Sequence, residues 1–165
     1  GSIAAELSDI DLSAIAADSA ELYEPVAEEA GLELETKIAP GLSVRGNREL
    51  VGQALSNLID NAIKYGANAE GERKIVVTVA KTAGALRVSV ADHGPGIDAD
   101  KREAVVKRFV RLDASRSKPG TGLGLSLVEA IMALHGGRLE LADTNPDGGP
   151  ARGLTASMVF PGQKA

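Results

Sequence analysis

The sequence predicts an α+β sandwich, in which helices cover one face of a sheet. Two observations lead there. Segments with apolar residues at helical spacing are interspersed with segments in which apolar and polar residues alternate at strand spacing. The strands fall largely in neighbouring pairs separated by short glycine- or proline-bearing turns, which is hairpin spacing.

Taking the elements in order, residues 11–30 are rich in Ala, Leu and Glu and read as a helix. A kink or break is expected at Pro25, whose ring removes a backbone hydrogen bond. Gly31 ends the helix as a C-cap residue. Leu32, Leu34, Thr36 and Ile38 then alternate with Glu33, Glu35 and Lys37 as a half-buried strand, closed by the turn Pro40-Gly41. A second helix runs from an Asn47 cap to about Gly66. Strands at 74–81 and 85–92 form a hairpin around Gly84. Residues 98–108 are expected as a short helix capped by Asp98, and residues 111–121, polar and bearing Pro119 and Gly120, as a mobile loop. Helical spacing returns over 122–135. A last strand pair, 138–143 and 153–160, flanks the turn-rich stretch 145–150.

The chain has 165 residues, 44% of them hydrophobic and 25% charged, enough for one domain with a true core. Aromatics are only 2%, so aliphatic side chains must build that core. The net charge of −5 and the lack of a basic stripe argue against nucleic acid as a partner. The absence of cysteine excludes disulfide scaffolds, thiolate metal sites and thiol catalysis. No apolar run approaches the roughly 20 residues of a membrane span, and no signal peptide opens the chain. The expectation is a soluble cytoplasmic domain without direct membrane contact. Gly1-Ser2 has the look of a cloning remnant, which suggests a piece of something larger.

On the second helix, at 100° per residue, Asn57, Asn61 and Lys64 share one narrow stripe, opposite the apolar Val51, Leu55, Ile59 and Ala62. Asparagine is a poor mid-helix residue. Its carboxamide oxygen is a hard donor that suits magnesium, and Lys64 would meet a phosphate as a point charge. A solvated polar face explains the same stripe. Two glycine-rich turns follow. Asp92-His93-Gly94-Pro95-Gly96-Ile97 stands directly after an apolar strand, where Asp92 could accept from an exocyclic amine such as that of adenine; a plain turn is the alternative. Gly120-Thr121-Gly122-Leu123-Gly124-Leu125 leads into a helix, and glycine-exposed N–H groups at a helix start bind phosphates. It is neither a dinucleotide fingerprint, since no strand precedes it, nor a P-loop, since it lacks Gly-Lys-Ser/Thr.

Taken in order, Asn57-Leu-Ile-Asp-Asn61-Ala-Ile-Lys64-Tyr65, Asp92-His-Gly94-Pro-Gly96-Ile97, Arg108-Phe109-Val-Arg111-Leu-Asp113 and Gly120-Thr121-Gly122-Leu123-Gly124-Leu125 strongly resemble the boxes of sensor histidine kinases. The likeness is to their catalytic, ATP-binding domain, of the GHKL class, and runs from Ile10-Asp11-Leu12 to Phe160-Pro161. It implies a Bergerat-type ATP-binding fold, a two-layer sandwich of a mixed, mostly antiparallel sheet and three helices. Residues 1–10 would be a tag remnant and a linker stub from a missing dimerisation and phosphoacceptor domain, and 11–165 the catalytic domain. ATP and Mg2+ are the implied cofactors. By resemblance, Asn61 coordinates magnesium and Asn57 assists at the phosphates, Lys64 contacts phosphate, and Tyr65 lies against the nucleotide. Asp92 accepts from the adenine amine while Gly94 and Gly96 shape the floor beneath it. Arg111, with Arg116 and Lys118, supplies phosphate contacts from the lid. Gly120, Thr121, Gly122 and Gly124 belong to its hinge and phosphate cradle. Ile97, Leu123 and Leu125 are either walls of the pocket or plain core.

Departures from the family pattern are Val106, where a second aromatic often stands, and Leu154, where many relatives have Thr; Leu154 and Thr155 are therefore left out of the site. His93 and His135 do not lie in a dimerisation helix with an acidic neighbour, so neither reads as a phosphoacceptor. His135, at a helix end where a cation suits the dipole, reads as structural. ATPase relatives of the fold place a Glu at the Asn57 position to activate water. An amide cannot act as a general base. The resemblance thus implies a protein-histidine kinase that donates the γ-phosphate to a histidine on separate dimerisation helices, with a response regulator downstream, and that does not autophosphorylate alone. A GHKL-class ATPase, a serine kinase and a non-catalytic nucleotide-binding module are the alternatives. An inner-membrane anchor is left open for the parent protein.

Overall fold

The strand-spaced segments pair through their apolar rows. In the computed structural model, which describes residues 6–67, 71–102 and 123–162, β4 (Lys74–Thr82) and β5 (Ala85–Ala91) form the expected hairpin. Ala83 and Gly84 both have positive φ, the backbone of a two-residue turn whose twist matches its strands. β7 (Thr155–Phe160) pairs antiparallel with β5 and with β6 (Arg138–Ala142). The register aligns Val77, Val90 and Ala156 in one row and Val79, Val88 and Met158 in the next, all buried. β2 (Glu33–Ile38) adds to the far edge, parallel to β4, giving the order β2-β4-β5-β7-β6. The sheet is mixed and mostly antiparallel.

Among the described residues three α-helices cover it: α1 (Leu12–Glu29), α2 (Arg48–Ala67) and α3 (Leu123–Leu134). α2 packs between α1 and α3 and lies over β4 and β5. Leu55, Leu58 and Ile59 of α2, Ile131 and Met132 of α3, and Ile15 and Ala16 of α1 join the strand rows in one core. The Asn47 cap is as expected, its Oδ1 accepting from Leu50 N–H at 2.9 Å. Gly31 closes α1 by donating to Glu28 O, while Leu32 N–H reaches back to Ala27 O, the paired bonds of a Schellman end. The Arg73 guanidinium donates to Ala30 O, Gly31 O and Ala67 O, a cation against the C-terminal carbonyls of both α1 and α2.

Several expectations need correction. α1 runs unbroken through Pro25. Pro25 and Glu21 lie on its exposed side, where water can serve the carbonyl that the proline leaves without a donor. Residues 8–11 and 43–46 form a separate antiparallel ribbon, β1 (Ser8–Asp11) with β3 (Ser43–Gly46), so the boundary expected after residue 10 falls within a strand. Asp98 makes no cap bond; its carboxylate pairs with Arg152 and Lys101, and a 3-10 turn at Ala99–Lys101 follows it, with Arg102 next in helical conformation. The rest of the helix expected over 98–108, and the loop at 111–121, lie outside the described residues. His135 is structural without being a cation: Nε2 accepts from Asn47 N–H and Nδ1 donates to Ile131 O, so the ring is the neutral tautomer.

Candidate nucleotide-binding site

The site is built where α2, the end of β5 and the start of β7 converge. Asp92 directly follows β5 and is 3% exposed. Its Oδ1 accepts from Gly94 N–H at 2.8 Å and from Leu154 N–H at 3.1 Å, while its own N–H donates to Leu154 O at 3.0 Å. Among the described residues nothing donates to Oδ2. Burial pushes the Asp92 carboxyl above its ordinary value, and the two amides pull the other way.

Close backbone approach makes this cradle possible. A Cβ on Gly94 would stand 2.7 Å from Tyr65 O, and one on Gly153 would collide with Asp92 O. Gly153 also has φ +71°, so a side chain there is excluded twice over.

Above the carboxylate is a cleft lined by Leu58, Asn61, Ala62 and Tyr65 of α2, Val90 and Asp92, Leu125 of α3, and Leu154 and Ala156. The α2 members span about 40° to 140° from Asn57 on the helical wheel, which explains a split in the expected polar stripe. Asn61 falls inside the cleft, 8% exposed, with its Nδ2 buried and unpartnered among the described residues. Asn57, about 40° from Asn61 on the wheel, is half-buried and outside the lining. Lys64 points outward and pairs with Asp60 at 2.5 Å. Burial, and next the Asp92 carboxylate, raise the Tyr65 phenol above its usual value, with Lys64 opposing.

Of the remaining expected residues, Gly94 is buried against Tyr65, and Gly96 takes positive φ beside Gly153. Leu125 is both cleft wall and core. Ile97 packs on the core and does not line the cleft. Leu123 and Gly124 form the first turn of α3. Arg111, Gly120, Thr121 and Gly122 lie outside the described residues, as do Arg116 and Lys118. The sequence reasoning missed Gly153 and set Leu154 aside because its side chain departs from the family pattern. Leu154 acts on Asp92 through its backbone amide, so side-chain identity carries no sign of it; a glycine just ahead of the last strand is the only trace.

Among the described residues no group of three or more His, Asp or Glu could hold a metal by itself. No helix among them is long and apolar enough to cross a membrane.

Residues 46–164 match the family model described as histidine kinase-, DNA gyrase B-, and HSP90-like ATPase. The chain belongs to that family. It is similar to the signal transduction histidine-protein kinase/phosphatase MprB of Mycolicibacterium smegmatis, 39% identical over 75% of this chain and 25% of the relative. The sensor-like histidine kinase SenX3 of the same species is 30% identical over 94% of this chain and 39% of the relative. The chain thus spans between a quarter and two fifths of the length of these two relatives. Among solved structures, a mycobacterial sensor histidine kinase MprB superposes with a TM-score of 0.78 at 28% identity, covering 96% of this chain and 99% of that one. A nucleotide-free catalytic domain of the histidine kinase ThkA gives 0.75 at 28% identity, covering 94% and 95%. Full-length ShkA, solved with AMPPNP, gives 0.75 at 28% identity over 96% of this chain and 32% of that one. The chain therefore corresponds to the ATP-binding catalytic domain of sensor histidine kinases, the two-layer fold and family expected from its boxes.

Proposed function

We propose that this domain binds Mg-ATP with the adenine amine on Asp92 and donates the γ-phosphate to a histidine on separate dimerisation helices, with a response regulator downstream. One observation carries the adenine reading. Asp92 has one oxygen saturated by two backbone amides and the other left free at the floor of a mostly apolar cleft, which is an acceptor waiting for a donor in a dry site. An exocyclic amine satisfies it; the carbonyl oxygen of guanine in that place would face a carboxylate.

The residues present fit magnesium in a restricted way. Magnesium takes few protein ligands and keeps water and phosphate oxygens, which suits a site with carboxamides and, among the described residues, no carboxylate cluster. Asn61 was the ligand expected from the sequence. Its place beside Asp92 and its unpartnered buried amide suit the base instead. We assign Asn57, one turn away and outside the lining, as the carboxamide for the metal. Bound there, the ion would offset phosphate charge. Lys64 can serve the phosphates by leaving Asp60, a surface pair worth little.

Transfer is favoured over hydrolysis by the lining itself. Its only carboxylate among the described residues is Asp92, committed to two amides, and Asn57 has no basic lone pair to activate water. A histidine nitrogen would form the N–P bond with its own electron pair as the bond from Pγ to the bridging oxygen breaks and ADP leaves. Calorimetric titration with ADP, ATP and GTP, with and without magnesium, tests the binding, and labelled γ-phosphate supplied with the phosphoacceptor domain of a relative tests the transfer. Binding of ATP and ADP but not GTP is expected; equal affinity for GTP would overturn the Asp92 assignment.

A further inference from the structure

Four ionic side chains stand just outside the cleft and line none of it. The Asp143 carboxylate, one residue past β6, pairs with Arg102 Nη2 at 2.7 Å and with Arg152 Nε at 3.6 Å. Arg152 also pairs with Asp98 through Nη2. Arg102 donates further to Ile97 O at 3.2 Å and Leu141 O at 3.3 Å. The cluster joins the turn after β5 and the end of β6 to the arm at 152–154 that returns the chain to β7. That arm carries the Leu154 N–H on which Asp92 depends.

The approach to the arm has little apolar anchorage. Residues 145–147, 149 and 150 are exposed, and Ala151 and Arg152 half-buried. The arm's backbone ties to the rest of the fold include Asn145 N–H to Arg152 O at 2.7 Å, Gly153 N–H to Gly94 O at 2.9 Å and Asp92 N–H to Leu154 O at 3.0 Å. The side chains of Arg102, Asp143 and Arg152 are 20%, 25% and 27% exposed, so their pairs are partly shielded from solvent.

We propose that Asp143, Arg152 and Arg102 are positioning residues for base recognition. They clamp the return arm to the turn after β5 at the spacing that lets Gly94 and Leu154 both donate to Asp92 Oδ1, which fixes Oδ2 toward the base. The proposal rests on the assignment of Asp92 as the adenine acceptor. No member lies on α2 or in the first turn of α3, so the role assigned is at the base end of the nucleotide.

The test compares wild type with Asp143→Asn, Arg152→Met, Asp143→Glu and Asp92→Ala, titrating ADP, ATP and GTP and following hydrogen exchange at the Leu154 amide in the nucleotide-free protein. Asp143→Asn and Arg152→Met should weaken ADP and ATP alike by about tenfold, as expected for coupled neighbours, narrow the preference for ATP over GTP, and speed Leu154 exchange. Asp143→Glu should recover most of each effect. A cluster that only stabilised the fold would lower the thermal midpoint and leave the ATP-to-GTP preference as it was. Should Asp143→Asn fail to fold, Arg152→Met, which alters a half-buried residue of the loop, carries the test. Unchanged nucleotide affinities and Leu154 exchange, in a protein where Asp92→Ala has lost ADP binding, overturn the positioning role alone. ADP binding retained by Asp92→Ala overturns the base-pocket assignment beneath it, and Leu154 exchange then still judges the clamp.

Discussion

The two walls of the cleft are made differently. On the sheet side, Asp92 is placed by backbone: the amides of Gly94 and Leu154 hold it, and glycine at 94 and 153 lets the chain come close enough. On the helix side, α2 contributes side chains, with Asn61 and Tyr65 lining the cleft, Asn57 half-buried outside the lining and Lys64 exposed. The backbone wall tolerates a change of side chain at Leu154 but no added Cβ at Gly94 or Gly153. The helical wall keeps its geometry under substitution but loses whatever chemistry the replaced residue carried.

The largest effect should come from breaking the sheet side at its one essential side chain. Asp92→Ala should weaken ADP by about a hundredfold or more, since a site built to meet an amine loses its acceptor, while the protein stays folded by circular dichroism. The same carboxyl predicts a pH dependence. Its ionised form accepts the amine and burial raises its titration, so ADP affinity should fall on acidification at a pH above the ordinary carboxylate range. Without nucleotide the sign reverses. A carboxyl raised in the folded state binds more protons folded than unfolded, so its stabilising contribution is present below the ordinary value of 3.8 and is lost as pH rises through the raised one. Asp92→Asn should flatten both profiles.

Gly153→Ala attacks the close approach instead, adding a Cβ at positive φ against Asp92 O. A cost of about 3 kcal/mol in unfolding free energy is expected, read by denaturant titration. The helical wall should respond residue by residue. Asn61→Ala should weaken ADP by about tenfold whether or not magnesium is present, whereas Asn57→Ala should remove the magnesium-dependent gain in ATP affinity and spare metal-free ADP. The reverse pattern would return the metal to Asn61. The smallest effect sharpens the contrast: Leu154→Thr keeps the amide that matters, and ADP affinity should stay within about twofold, below the loss of one neutral hydrogen bond.

The same contrast explains what could be read in advance. Asn57, Asn61 and Asp92 stood out because their side chains are unusual for their places, polar in mid-helix or charged at the end of an apolar strand, whereas Tyr65 came only with the family resemblance. The hairpin at 74–91 and the Asn47 cap announced themselves through local chemistry. Leu154 was set aside on its side chain, and its backbone role left no sign because an amide is common to nearly every residue. The Asp60 pairing of Lys64 is one of several contacts a helical wheel allows and does not choose. The ribbon of β1 and β3 has strands of four residues, too short for a period to show. The parallel docking of β2 on β4 joins Glu33 to Lys74 across the whole of α2, and no local signal marks such a pairing.

That parallel pairing bears on how the molecule assembles. Two parallel neighbours need a crossover, usually through a helix, and the helix between β2 and β4 is α2, the one that carries Asn57 through Tyr65. The loop closed by Glu33 meeting Lys74 contains the whole of α2, which lies over β4 and β5. Contacts so far apart in sequence are slow to form. The edge strand and the nucleotide-facing helix are therefore one cooperative unit: a protection map of the empty protein should show their amides opening together, and a nucleotide that grips α2 should slow exchange in β2, a strand it never touches.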